Sequence, residues 1–400
     1  MSSLACARVE QDRHDVAVVP APDRAGFRVL VVGHCYALRI NQQKLNALAR
    51  RCAAVGLLAP SNWRNLNGLD EGQRFGPERG YGSFSIFPAP VVRAGHVASF
   101  LFEPATLGRA LMSFKPDIVQ VEQEVYSLAS AQLALAAKAA RRRLVVFGWE
   151  NLDRPIHPVQ WVARKTVLAL ADAVVCGSSE GAALVAKWGF KRRIEVIPQL
   201  GVDPSFFRKG RRRMDGPFNI GFVGRLVREK GVDLLLAALG GLARSGLEFR
   251  ATICGAGMMA SQLELLARDT GIGGQVTWLG GLPHERIPEM MQGLDALVLP
   301  SRQTTAWKEQ FGHVLIEAMA MGIPVVGSSS GAIPEVLGRQ DLIFAEEDAA
   351  GLARILERLI RQPGWRQEVE AYGVTRVDEH YTHEKVAERL TTLWAEMLKG

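Results

Sequence analysis

The chain of 400 residues is too long for one ordinary hydrophobic core and fits two domains of about 100 to 200 residues each. Hydrophobic residues make up 48% and charged residues 22%, which is typical of a soluble globular protein, and no apolar run reaches the roughly 20 residues that span a bilayer. Residues 1–22 lack the sustained apolar core of a targeting peptide, so we expect a cytoplasmic protein.

The charge is divided unevenly along the chain. Residues 1–200 contain 25 Lys and Arg against 16 Asp and Glu, whereas the remaining residues contain 23 against 25. A basic first half attracts anionic partners, although a solvated basic surface gives the same count. The five cysteines form no Cys-x-x-Cys pair, which argues against a zinc ribbon or a disulfide framework and favours buried thiols.

In the first half of the chain, short runs of β-branched residues alternate with stretches in which apolar residues recur at helical spacing. Ser178 or Ser179 is placed to cap the last helix of this series. Such alternation predicts a parallel sheet covered on both faces. We predict strands at 28–33, 117–121, 143–147 and 173–176, and helices at 41–51, at 127–140 and after Ser179.

The stretch 198–217 interrupts this pattern with three prolines, the basic run 208–213 and no periodicity, which indicates a linker. After it the alternation restarts as a second doubly wound unit. We predict strands at 219–223, 249–254, 276–279, 296–299 and 325–326, and helices at 232–244, 259–269, 287–292 and 312–321.

The last 27 residues carry one amphipathic pattern, with Val386, Leu390, Leu393, Trp394 and Met397 on a single stripe. This pattern predicts one helix that either completes the second domain or returns to the first. The predicted organisation is therefore a first domain at 1–200, a linker at 201–216, a second domain at 217–373 and a C-terminal helix at 374–400.

Glu309 and Glu317 lie on either side of the predicted start of a helix. In a doubly wound sheet such a start lies at the carboxyl edge of a strand, where free amides of Gly312, His313 and Val314 suit phosphate oxygens. A retaining glycosidase would need carboxyl groups about 5 to 5.5 Å apart, whereas eight residues of continuous helix separate backbones by roughly 12 Å. The spacing favours one carboxylate at each end of an extended ligand.

Arg225 and Lys230 follow the first strand of the same predicted domain and leave its carboxyl edge beside the same crevice. Arginine suits two phosphate oxygens at once and lysine adds a mobile point charge. Gly224 removes a side chain where a ligand comes close. Each feature alone also fits an ordinary charged surface, but their order within one domain favours an anionic ligand.

Gly224-Arg225 and Lys230-Gly231, followed by EQFGHVLIEAMAMGIPVV from Glu309, resemble the retaining glycosyltransferases of family 4. The resemblance covers the second domain and extends to VIPQLGVD at 196–203. It implies an α/β GT-B fold, with two Rossmann-like domains facing a central cleft. It also implies transfer of a sugar from a nucleotide-diphosphate donor to an acceptor hydroxyl with retention, as in polysaccharide biosynthesis.

The resemblance also implies roles for individual residues. Arg225 and Lys230 would hold the donor diphosphate, Glu309 the hydroxyls of the transferred sugar, and Glu317 the ribose. It implies a UDP-, GDP- or ADP-sugar as donor substrate, no cofactor and no metal, since no Asp-x-Asp pair lies near these segments. The remaining nucleotide-sugar contacts implied are Gly224, Gly281, Leu282, Gly312, His313, Val314 and Leu315.

The first domain departs from the family pattern. Where many members have a glycine pair and a histidine, this chain has GHCYALR at 33–39 and GWEN at 148–151. His34, Glu150 and Asn151 are candidate sugar or acceptor contacts, and each also fits a purely structural role. Two alternatives to an active transferase therefore remain: a catalytically silent sugar-nucleotide binder, and a GT-B epimerase or phosphorylase.

Basic clusters at 50–51, 141–143 and 191–193 lie in the predicted acceptor domain, with Trp188 and Phe190 close to the last. They raise the hypothesis of peripheral docking on an anionic membrane, at the inner face of the cell membrane, to glycosylate a lipid-linked acceptor. A free glycan is the other acceptor considered. The sequence has no helix-turn-helix cue or aromatic RNA platform, so we expect no nucleic-acid partner.

Overall fold

The computed structural model describes residues 25–64, 74–75, 83–208, 210 and 216–399. The N-terminal stretch 1–22, considered above for targeting, and most of the basic linker run 208–213 lie outside these residues. Within the described ranges, no helix combines the length and the hydropathy that crossing a bilayer needs. The described chain forms two parallel sheets flanked by helices.

The first sheet has seven parallel strands, and two short antiparallel ribbons lie beside it. The strands in chain order are β1 (Ala25–Val32), β2 (Cys52–Pro60), β3 (Trp63–Arg64), β4 (Arg74–Phe75), β5 (Ser85–Ala89), β6 (Val91–Val92), β7 (Leu101–Phe102), β8 (Ile118–Glu122), β9 (Arg143–Gly148), β10 (Ala173–Cys176) and β11 (Arg193–Val196). The sheet order is β11-β10-β9-β8-β1-β2-β5, so the chain changes direction of winding between β1 and β8.

The second sheet has six parallel strands in the order β14-β13-β12-β15-β16-β17. These strands are β12 (Phe218–Val223), β13 (Phe249–Cys254), β14 (Val276–Gly280), β15 (Ala296–Leu299), β16 (Val325–Ser328) and β17 (Ile343–Phe344). The order reverses between β12 and β15, which is the place where doubly wound sheets open a crevice at the carboxyl ends of their strands.

The helices alternate with the strands, as predicted. In the described residues they are α1 (Gln43–Arg51), α2 (Pro104–Phe114), α3 (Leu128–Ala139), α4 (Pro158–Leu170), α5 (Ser179–Lys187), α6 (Val232–Arg244), α7 (Ala260–Asp269), α8 (Ile287–Met291), α9 (His313–Ala320), α10 (Ile333–Leu337), α11 (Ala349–Arg361), α12 (Pro363–His380) and α13 (His383–Lys399). The predicted α/β class with two doubly wound sheets is confirmed.

The C-terminal amphipathic stretch forms parts of two helices rather than the one predicted helix. The break between α12 and α13 has a cause far away in the sequence. The amide of Val202 donates to the carbonyl of Tyr381 at 2.8 Å, and the amide of His383 donates to the carbonyl of Val202 at 3.2 Å. These bonds hold Thr382 beside Val202, in the segment where the chain passes from the first domain to the second. The helix therefore cannot continue through Thr382.

α13 packs on the first domain. Val386, Leu390, Leu393 and Trp394 are buried in a core with residues of β1, β2 and α1. The Trp394 indole N–H also donates to Gln120 Oε1 at 3.2 Å. The end of the chain therefore contributes to the hydrophobic core of the first domain, while α12 contacts α9 of the second.

Candidate active site

The loops that follow β12 and β15 touch at the crevice of the second domain. Gly231 ends the first loop with φ +66°, and a Cβ at this position would lie 1.9 Å from the carbonyl oxygen of Pro300. Only glycine fits this left-handed backbone against another main chain. The close approach places Lys230 beside the segment that carries Glu309.

Lys230 and Glu309 form a largely buried ion pair. The Nζ of Lys230 lies 2.6 Å from Oε2 of Glu309, and the side chains are 15% and 7% exposed. The hydroxyl of Ser301 donates to the same carboxylate oxygen at 2.7 Å. The ammonium group also lies 4.7 Å from the ring centroid of Trp307. The two predicted residues are therefore together, as an ion pair beside an aromatic ring.

The main chain of Glu309 is fixed as well. Its carbonyl accepts the amide of Ala332 at 3.1 Å, and a Cβ on Gly331 would lie 2.0 Å from the same oxygen. The side-chain amide of Asn151, from the first domain, donates to this oxygen at 2.9 Å. The residue that the resemblance would place on the transferred sugar is thus held by both domains.

Glu317 pairs with a residue that the sequence analysis did not identify. Its Oε1 lies 3.1 Å from Nε2 of His284, and this hydrogen bond raises the pKa of the histidine against the opposing effect of burial. The His284 ring stacks on Phe206 at 6.1 Å with an interplanar angle of 12°. A ribose that binds Glu317 must therefore share or replace the contact with His284.

α9 begins at the predicted place, with Gly312 as its N-cap at φ +79° and no side chain that caps it. The amide of Leu315 donates to the carbonyl of Gly312 at 2.9 Å, so it is engaged within the turn. His313 and Val314 occupy the first two helical positions, where amides lack intrahelical acceptors. Desolvation by burial lowers the pKa of His313, which favours a neutral ring.

Arg225 does not join the Lys230 and Glu309 pair. Its guanidinium lies 3.7 Å from Oε1 of Glu229, and its side chain is 54% exposed. The amide of the preceding Gly224 donates to the carbonyl of Cys254 at 3.0 Å, which fixes the start of the loop. Arg225 is thus a solvent-facing cation on a fixed main chain.

Gly281 and Leu282 follow β14 and lead to His284, and Leu282 packs against the core of the second domain. Beside this loop lies a cavity of about 340 Å³ between the domains. The lining includes the Glu317 and His284 pair of the second domain together with Asn41 of the first. Space for part of a ligand therefore adjoins the predicted ribose contact.

The first-domain candidates all have partners within the protein. His34 Nδ1 lies 2.7 Å from Gln123 Oε1, and burial lowers the pKa of this histidine. The carboxylate of Glu150 accepts two bonds from Arg154, at 3.1 and 3.0 Å. Asn151 binds the carbonyl of Glu309, as described above. None of these contacts requires a sugar.

A half-buried carboxylate lies beneath the GWEN loop. Glu124 accepts the amides of Trp149 and Glu150, each at 3.2 Å. Burial, with repulsion from Glu150, raises the pKa of Glu124 to about 7. Glu124 was not among the residues predicted from the sequence, although its position two residues after the end of β8, at the carboxyl edge of a sheet, was a signal for it.

The three basic clusters lie at the amino ends of strands, on the edge opposite the cleft, because Arg51 precedes β2 while Arg143 and Arg193 begin β9 and β11. Of the aromatic residues close to the last cluster, Phe190 is buried and Trp188 is half-buried, with its ring 4.4 Å from Arg164. Much of the positive charge is paired with carboxylates, namely Arg50 and Arg51 with Glu384, Arg51 with Glu388, Lys138 and Arg143 with Asp172, and Arg193 with Glu195 and Glu396.

Comparison with known families decides the assignment. The family model for glycosyltransferase family 4 matches residues 42–206, and the model for glycosyl transferases group 1 matches residues 204–376. The two matches support a family 4-like glycosyltransferase, similar to family 4 in the first domain and to group 1 in the second. Together the two models cover the second sheet and every strand of the first sheet except β1, and the GT-B fold predicted from the resemblance is confirmed.

Similar proteins include a glucosyltransferase and two solved structures that share the fold. The 2-deoxystreptamine glucosyltransferase of Streptomyces kanamyceticus is 30% identical over 55% of this chain, and the match spans 60% of that relative's length. Sucrose-phosphate synthase from Thermosynechococcus elongatus has a TM-score of 0.69 at 17% identity over 93% of this chain and 99% of its own. Alr3699/HepE of Anabaena, solved in complex with UDP, has a TM-score of 0.68 at 17% identity over 92% and 100%.

Several residues around the candidate site were not predicted from the sequence. Ser301 and Trp307 contact the Lys230 and Glu309 pair, and His284 contacts Glu317. Ser301 is the second residue after β15, at the carboxyl end of that strand, where doubly wound sheets bind ligands. This position was a signal in the sequence. Among the described residues, no group of three or more His, Cys, Asp or Glu side chains is placed to hold a metal ion.

Proposed function

We propose that the protein transfers a sugar from a nucleotide-diphosphate donor to an acceptor hydroxyl with retention of configuration. The observation that carries the proposal is the buried pair of Lys230 and Glu309 at the crevice between β12 and β15. The cation suits a diphosphate, and the carboxylate beside it suits sugar hydroxyls. Glu317, at the far side of α9's first turns, suits the ribose.

The chemistry follows from this arrangement. The bond between the anomeric carbon and the phosphate oxygen breaks, the acceptor oxygen forms the new glycosidic bond, and the acceptor proton passes to the departing diphosphate. Negative charge therefore grows on the leaving group. Lys230, which is 15% exposed and lies beside Trp307, then shares its charge between Glu309 and the leaving group, and Arg225 turns inward from solvent to add a second cation. We propose that these two cations make a metal ion unnecessary.

The nucleotide can be identified by thermal unfolding in the presence of UDP, GDP and ADP. A ligand that binds only the folded state raises the melting temperature. UDP is the first choice because Alr3699/HepE, a protein of the same fold, was solved with it. The matching nucleotide sugar should then release nucleotide faster when an acceptor extract is added. Stabilisation by none of the three nucleotides would contradict the proposal.

Product analysis separates this proposal from the alternatives. An epimerase converts the donor without an acceptor, a phosphorylase requires free phosphate, and a silent binder releases no nucleotide. The intact Lys230 and Glu309 pair favours the active transferase over the silent binder, because both groups that would act on the donor are present. The acceptor class, a free glycan or a lipid-linked saccharide, follows from the same product analysis.

For a lipid-linked acceptor we also propose peripheral contact with an anionic membrane. The observation that favours it is the exposed face of α4, where Val159, Trp161 and Val162 are 51%, 48% and 56% exposed. The stretch 154–171 contains cations and no Asp or Glu. An apolar face with flanking cations suits an anionic interface.

Liposome flotation tests this contact. Wild type should float with anionic and not with zwitterionic vesicles, and Trp161→Ala should weaken flotation. Met112→Ala is the control, since Met112 is a 77% exposed apolar residue on α2. Flotation that does not depend on anionic lipid, or that both substitutions weaken equally, would remove the membrane proposal and leave the transferase proposal standing.

A further inference from the structure

Two side chains of the first domain reach the segment that carries Glu309. The amide nitrogen of Asn151 donates to the main-chain carbonyl of Glu309 at 2.9 Å. Next to it, Oε1 of Glu180 lies 2.5 Å from Nζ of Lys308. The same Glu309 carbonyl accepts the amide of Ala332 from its own domain at 3.1 Å. One carbonyl oxygen therefore joins the two domains.

The Asn151 side chain is itself held in a fixed orientation. It is only 8% exposed, and its amide nitrogen also lies 3.4 Å from Oε2 of Glu180. The two residues before it donate their main-chain amides to the half-buried carboxylate of Glu124. A polar group that is buried with its bonds made resists displacement, because breaking them leaves unsatisfied atoms.

Trp149 extends this contact along the same segment. Its ring lies 5.7 Å from the ring of Phe311 and 6.0 Å from that of His313. Gly177 makes room for the indole, since a Cβ there would lie 2.0 Å from Trp149 Cζ3. The GWEN loop of the first domain therefore packs on residues 309–313 of the second through one aromatic ring and one directed hydrogen bond.

We propose that Asn151 is a positioning residue that holds the main chain of Glu309 from across the cleft. The placement of the Glu309 carboxylate then depends on contact between the domains. This inference rests on the proposed function, in which Glu309 contacts the transferred sugar. The diphosphate and ribose contacts, by comparison, come from Arg225, Lys230 and Glu317 of the second domain alone. Loss of the hydrogen bond from Asn151 should therefore lower turnover while nucleotide binding stays nearly unchanged.

The test compares Asn151→Ala and Asn151→Asp with wild type. Aspartate keeps the shape of asparagine but, when ionised, cannot donate, so both variants lose the bond. Asn219→Ala is the matched control, because the Asn219 amide also donates to a carbonyl, that of Gly293 at 2.7 Å, but within one domain and at the amino end of β12. UDP is the binding probe, and turnover is measured with the nucleotide sugar that wild type uses.

We expect both Asn151 variants to lower kcat about 10- to 100-fold, the range expected when a reacting group is misplaced by about 1 Å. The Kd for UDP should stay within about threefold of wild type. Asn219→Ala should lose thermal stability while kcat stays within about twofold. A general structural role of Asn151 would instead lower stability, binding and turnover together.

Three results decide the matter. Wild-type kcat in the Asn151 variants, or a parallel loss of UDP binding and kcat, overturns the inference and leaves the transferase function intact. Absence of turnover in wild type with every nucleotide sugar overturns the proposed function instead. Small-angle X-ray scattering then still tests the domain contact: Asn151→Ala should have a larger radius of gyration than wild type in UDP, and equal radii would overturn the inference.

Discussion

The buried pair of Lys230 and Glu309 allows stability and activity to be separated. In Glu309→Gln, a neutral amide replaces the carboxylate that balances the charge of Lys230. The Lys230 side chain is only 15% exposed, so its charge is left largely buried without a counter-charge. Removing one partner of a buried pair costs about 3 to 5 kcal/mol. We expect the lower value, because Trp307 still faces the ammonium group at 4.7 Å. Lys230→Met should lower stability by about the same amount, because the Glu309 carboxylate then keeps the Ser301 hydroxyl as a donor but has lost its cation.

The double variant Lys230→Met with Glu309→Gln removes both charges and should recover stability to within about 1 kcal/mol of wild type. Turnover should nevertheless stay at least about 100-fold below wild type, because the charge on the leaving group has lost its partner. Thermal unfolding and nucleotide release measure the two quantities. A double variant as unstable as the sum of its singles would refute the coupling, and one that regains activity would refute the catalytic role.

Two further substitutions test the local geometry. Gly231→Ala combines a left-handed backbone cost of about 1 kcal/mol with a clash between the new Cβ and the Pro300 carbonyl. It should therefore destabilise the protein more than Gly246→Ala, whose Cβ would meet nothing within 4 Å at φ +72°. Equal losses of stability in thermal unfolding would contradict this prediction. Pairing with Glu317 raises the pKa of His284 in the folded protein. The stabilisation from this pairing is complete below the unfolded-state pKa of about 6.5, and it is lost as pH rises through the folded-state pKa. In the proposed complex the ribose of UDP takes Glu317 from His284, so calorimetry should find tighter UDP binding at pH 8 than at pH 6 in wild type and a smaller difference in His284→Ala. Identical pH profiles would contradict this prediction.

The sequence was most informative where local chemistry determines structure. The helix at 232–244 and the strand at 249–254 occur with the predicted bounds, because glycine and β-branched residues mark them locally. The strand β2 was missed because it follows α1 without an intervening turn and has few β-branched residues. The break between α12 and α13 was missed because Val202, far away in the sequence, pairs with the residues at the break.

The candidate site divides in the same way. Lys230 and Glu309 come together because parallel strands place the loops after β12 and β15 at one edge, which a sequence pattern can predict. Asn151 could be selected only as a sugar or acceptor candidate, since its partner is a main-chain carbonyl 158 residues away and main-chain partners leave no signature in side chains. The pairing of His284 with Glu317 likewise depends on the path of the loop after β14.

The central claim is that the cations after β12 and the carboxylates around α9 bind one nucleotide sugar. A crystal structure with UDP, or with whichever nucleotide stabilises the fold, tests it most directly. We expect phosphate oxygens within about 3 Å of Lys230 Nζ and the Arg225 guanidinium, and ribose hydroxyls on Glu317. A nucleotide bound elsewhere, with Arg225 still beside Glu229 in solvent, would contradict the account.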